Sequence, residues 1–96
     1  VSFLIERRLR AVSRRLASLR EELTITEEQL GHLVDVTDDT RIRALVSETP
    51  LADEDHRSAE RTSSAMARHR VELVAAIERL EAEQDELLDR LTARRR

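Results

Sequence analysis

The chain has 96 residues, 39% of them charged and 1% aromatic, with no cysteine and a net charge of -3. That length holds one domain, and a composition rich in Ala, Glu, Leu and Arg with a single ring, Phe3, besides its histidines argues against a mixed α/β core. Disulfides, thiolate metal sites and cysteine catalysis are excluded by the absent cysteine.

The first predicted helix covers residues 3–35, where Ile5, Leu9, Val12, Leu16, Leu19, Leu23, Thr26, Leu30 and Leu33 recur at alternating steps of four and three. This heptad keeps one narrow seam turned toward a partner helix, as a coiled coil requires. Gly31 interrupts it at a cost of about 1 kcal/mol against alanine. Asp35-Val36-Thr37-Asp38-Asp39 is a run of poor helix formers and is expected to end this helix, with Thr37 capping the next. The second predicted helix is short, over 38–48, with Ile42, Leu45 and Val46 on one face. It ends before Pro50, which disfavours helical geometry at Thr49.

Pro50 suits the first turn of a third helix, with Thr49 as cap and Asp53, Glu54 and Asp55 near its positive end. This helix is expected over 51–93. Its seam reads Met66, Arg70, Leu73, Ile77, Leu80, Gln84, Leu87 and Leu91.

The charge map sets the orientation of the two long helices. Residues 1–20 carry six Arg and one acid, residues 21–60 twelve acids and three Arg, and residues 61–96 eight Arg and seven acids. Doubling back brings Arg7, Arg8, Arg10, Arg14 and Arg15 beside the acids from Glu78 to Asp89, whereas a parallel arrangement opposes like charges. Each exposed pair is worth under about 1 kcal/mol, so charge selects orientation rather than supplying stability. Of the regular registers, the one in which facing residue numbers add to about 96 matches Leu16 with Leu80 and Leu23 with Leu73. It also sets Thr26 opposite Arg70 as a polar layer. The expected fold is all-α: a long antiparallel coiled-coil hairpin over 1–96 with a short bridging helix, pairing into a dimeric four-helix bundle. Spare apolar residues (Phe3, Leu4, Ile25, Val34, Val36, Val71, Val74, Leu88) are expected to cover the bridging helix or a partner.

The chemistry-bearing residues do not form a recognised site. His32, His56 and His69 lack the spacing that puts two metal ligands on one helix face. Ser63 and Ser64 lack a paired base. No enzyme activity, metal or other cofactor is expected. A net acidic chain argues against nucleic-acid binding. No apolar run approaches the roughly 20 residues of a membrane span. All 17 basic residues are Arg and Lys is absent, which reads as the codon usage of a GC-rich bacterial genome. A cytoplasmic location is expected.

One cluster stands out at the bend: Asp35, Asp38, Asp39, Asp53, Glu54 and Asp55. A long hairpin with an acidic tip resembles the arm of bacterial transcript cleavage factors. The resemblance implies contact with RNA polymerase through those carboxylates. A second resemblance, to hairpin anti-sigma factors that bind cyclic di-GMP, fails at its motif. Glu60 and Ser64 fill the first two places, but Ala67, Val71 and Ala75 occupy the rest. The expected function is therefore a non-catalytic protein-interaction module, a homodimeric bacterial adaptor or regulator. The alternative is a transcription regulator that contacts polymerase or a sigma factor. The helix–helix interface is assigned to Ile5, Leu9, Val12, Leu16, Leu19, Leu23, Leu30, Leu33, Met66, Leu73, Ile77, Leu80, Leu87 and Leu91.

Overall fold

A computed structural model describes residues 2–94. The fold is an all-α helical hairpin of two helices, α1 (Ser2–Ser47) and α2 (Pro50–Arg94). The expected bridging helix is absent as a separate element, because α1 runs straight through the stretch assigned to its end. Nothing between Gly31 and Pro50 forces a break: the β-branched and Asp residues cost at most about 0.7 kcal/mol each. Their side chains are also satisfied along the helix. The Thr37 hydroxyl, expected to cap a new helix, instead donates back to the Leu33 carbonyl at 2.8 Å. Thr40 does the same to the Thr37 carbonyl at 2.9 Å. Arg41 and Arg43 reach back to Asp38 and Asp39 at 3.9 and 2.7 Å.

The turn is two residues long. Glu48 has a left-handed backbone (φ 49°), and its N–H closes α1 on the Ala44 carbonyl at 3.1 Å. This is the position that helices commonly give to glycine. Thr49 then caps α2 as expected: its hydroxyl accepts from the Ala52 N–H at 3.2 Å and its carbonyl from the Asp53 N–H at 3.1 Å. Pro50 follows at the first helical position, where its missing N–H has no partner to lose.

The chain divides into two compact units, each built from part of both helices. The first joins α1 up to Leu23 with α2 from Glu72. It holds the apolar core, in which Ile5, Val12, Leu16 and Leu19 are buried with Leu73, Ile77, Leu87 and Leu91. Leu9, Leu23, Ala76 and Leu80 pack at its margin. Outside this core, Arg8 forks onto Glu83 at 2.5 and 2.9 Å, Arg20 reaches Glu81 at 3.0 Å, and the Gln84 amide donates to Ser13 at 3.1 Å.

The second unit, Thr24–Val71, contains the turn. Its seam keeps the heptad spacing but changes chemistry. Thr26 is buried, and Leu30, Leu33 and Met66 are half-buried. Beyond them the facing positions are Thr37, Thr40 and Ala44 on α1 and Ala52, His56, Ala59 and Ser63 on α2, all half-buried. The Thr37 hydroxyl also reaches the Ala59 carbonyl at 3.3 Å, and Thr40 pairs with the His56 Nδ1 at 3.3 Å. Arg70 meets Glu27 at 3.6 Å. In both units facing numbers such as 13 and 84, 27 and 70, or 40 and 56 add to 96 or 97, the expected register.

Candidate interaction surfaces

The assigned interface residues fall into two groups. Ile5, Val12, Leu16, Leu19, Leu73, Ile77, Leu87 and Leu91 are buried within the chain, and Leu9, Leu23, Leu30, Leu33, Met66 and Leu80 are half-buried. Their faces are thus largely occupied inside one hairpin. What remains open lies elsewhere.

Near the turn, Ile42, Leu45, Val46 and Leu51 are 55%, 69%, 79% and 72% exposed. The first three were expected to lie on one face of a separate helix packed under spare apolar residues. They instead continue α1 at steps of three and one, which keeps them on a single face turned to solvent. In the first unit Phe3, Leu4 and Leu88 are exposed as well. Scattered apolar residues on a surface are ordinary, but a contiguous set marks a surface built to be covered.

The acidic cluster at the bend is partly neutralised. Asp38 and Asp39 pair with Arg41 and Arg43, and Glu54 holds both Arg57 and Arg61 at 3.4 and 3.0 Å. The hydrogen bonds from Arg61 and then Arg57 hold the Glu54 carboxyl below the usual glutamate range. Asp35, Asp53 and Asp55 are exposed and carry no ion pair among the described residues. In the first unit the Arg8 fork likewise depresses the Glu83 carboxyl and raises the Arg8 guanidinium.

The three histidines are apart in role. His56 is half-buried, with Nδ1 on Thr40 and Nε2 2.7 Å from Glu60. His32 is exposed and lines an open apolar groove with Gln29, Leu33, Thr62 and Met66. His69 is half-buried on α2. No group of three metal-ligating side chains comes together among the described residues. Nor is any helix there long and apolar enough to cross a membrane.

The seam residues Thr37, Thr40, Ala44, Ala52, His56 and Ala59 were missed by reading apolar residues alone. The signal was their spacing, which continues the four–three alternation from Leu33 and into Met66 once small and polar residues are admitted to the seam. In comparisons with known proteins the chain matches no family model, no curated protein and no solved structure.

Proposed function

We propose that this chain is a non-catalytic protein-interaction module that self-associates, acting as a homodimeric bacterial adaptor or regulator. One observation carries the reading. Among the described residues of the second unit no apolar side chain is fully buried, while Ile42, Leu45, Val46 and Leu51 stand mostly in solvent. Ordering roughly 50 residues costs far more than half-buried leucines and alanines return, so a unit of this kind gains from a partner that covers its apolar face. Sedimentation equilibrium of the full chain tests it. A mass of twice 11.1 kDa at micromolar concentration is the expected result. A constant 11.1 kDa at all concentrations would refute self-association.

The alternative, a transcription regulator reaching polymerase or a sigma factor through the acidic bend, draws on Asp35, Asp53 and Asp55, which are exposed without ion pairs among the described residues. It is the weaker reading, because Asp38, Asp39 and Glu54 are each engaged by Arg. Reversing the charge of Asp35, Asp53 and Asp55 abolishes polymerase binding if this alternative holds, and leaves it unchanged if the bend is only a solvated turn.

A further inference from the structure

Beside the seam, the second unit carries a further pair of stripes that the hairpin leaves uncovered. On α1 Gln29, His32, Val36, Asp39, Arg43 and Val46 follow one another at steps of three and four, all exposed except the half-buried Val36. On α2 Leu51, Asp55, Ser58, Thr62, Ala65 and His69 do the same, with only His69 half-buried. Both stripes lie on one flank of the unit. Gln29 and His32 line a groove together with Thr62, and Arg43 lines a hollow together with Leu51 and Asp55. The half-buried seam residues Leu33 and Met66 also line that groove, which makes it apolar.

We propose that a second copy docks on this flank with its turn at the same end, laying the α1 stripe of each copy on the α2 stripe of the other. This rests on the self-association proposed above and names its face. A two-fold axis along the unit keeps every residue at its own height. The register is therefore set by the hairpin itself, where level residues have numbers adding to 96 or 97. Facing pairs across the axis add to 97 or 98. They set Val46 on Leu51, which are 79% and 72% exposed, with His32 on Ala65 and Asp39 on Ser58. Arg43 meets Asp55, which is exposed and has no ion pair among the described residues. Asp39 need not be given up, since it is held at 2.7 Å through Nη2 alone and a guanidinium offers five N–H donors. Each contact is made twice, so the assembly closes as a dimer.

Charge sets the alternatives apart. On the opposite flank the same two-fold puts Arg41 on Arg57 and Asp38 on Glu60, and like charges brought together at an interface are costly. A hollow on α2 there is lined by Arg57, Glu60, Arg61, Ser64 and Arg68 rather than by apolar residues. With turns at opposite ends, placing Val46 over the groove at His32 sets Asp39 on its own copy. Ile42 and Leu45 stand further round α1, outside this contact, and isolated apolar residues of that kind are ordinary on a surface.

The chain lacks cysteine, so single introduced cysteines report proximity without background. Full-length chains carrying His32→Cys or Ala65→Cys are oxidised separately and as an equal mixture, with sedimentation run in parallel on the reduced samples. The expected result is a covalent dimer that forms mainly in the mixture. Asp55→Arg chains and Arg43→Asp chains each put like charges at both contacts and should dimerise at least tenfold more weakly than the unaltered chain. Their equal mixture puts Arg on Asp twice and should recover the loss. Linking no better in the mixture than in the separate samples, or linking instead through Val34→Cys and Ser64→Cys on the opposite flank, would overturn this face. A dimer mass in that case leaves self-association standing, whereas 11.1 kDa at every concentration removes both.

Discussion

Truncating one leucine in each unit measures how unevenly the hairpin is held together. Leu16 is fully buried at the centre of the first unit's core. Leu16→Ala removes three carbons, worth about 0.8 kcal/mol each on transfer, and leaves a void that the neighbouring Val12 and Leu19 fill only in part. The expected loss is about 3–4 kcal/mol. Leu33 also lies on the seam, in the second unit, but is only half-buried, beside an open groove. Leu33→Ala gives up about half the transfer term and creates no closed void, so about 1 kcal/mol is expected. Urea unfolding followed by far-ultraviolet circular dichroism, at one protein concentration for all variants, reads both values. Equal losses at the two sites, or a larger one at Leu33, would refute the placement of the core.

Three further outcomes follow from local geometry. Glu48→Gly should stabilise the hairpin by about 1 kcal/mol by relieving the left-handed backbone, and Thr49→Ala should cost about 1 kcal/mol by removing the α2 cap, both read from urea midpoints. Glu54 and Glu83 titrate below their unfolded values, so the stability they lend is present above the ordinary glutamate range and is lost as pH falls through their depressed values. Melting temperature should drop across that acid window, and Glu83→Gln should flatten part of the drop; a rise in stability on acidification would contradict the pairing. Gly31→Ala should add about 1 kcal/mol of stability, read from the urea midpoint, because an added Cβ meets nothing within 4 Å; a loss would contradict the open placement of this helix face.

The hairpin was legible because its strongest signals agree. Ile5 to Leu19 and Leu73 to Leu91 are apolar at coiled-coil spacing, and the Thr49-Pro50 pair marks the start of α2 with both a cap and a residue that cannot continue α1. The register followed from matching those leucines. The bridging helix was misread for a physical reason. Low helix propensity at Val36, Thr37 and Asp38 is a weak local preference, and a seam contact from Thr37 to Ala59 together with ion pairs along α1 outweighs it. The end of α1 was marked by Pro50, although its left-handed closing residue is Glu48 rather than the glycine that commonly stands there. The acidic bend was visible as composition. Arg41, Arg43 and Arg57 answer part of it at helical steps of three and four, and Arg61 reaches Glu54 from seven residues on, pairings that counting charges along the bend did not bring out. Exposure of Ile42, Leu45 and Val46 was hidden because they were assigned to a separate, covered bridging helix rather than to the end of α1.

Residue-resolved hydrogen exchange on the full chain, repeated from dilute to concentrated solution, tests most directly whether the leucine core holds one unit while the other relies on a second copy. Amides around Val12, Leu16, Leu73 and Ile77 should be the slowest at every concentration. Those between Thr24 and Val71 should exchange faster in dilute solution and slow markedly as the protein is concentrated. Uniform protection along both helices, unchanged by concentration, would contradict the account.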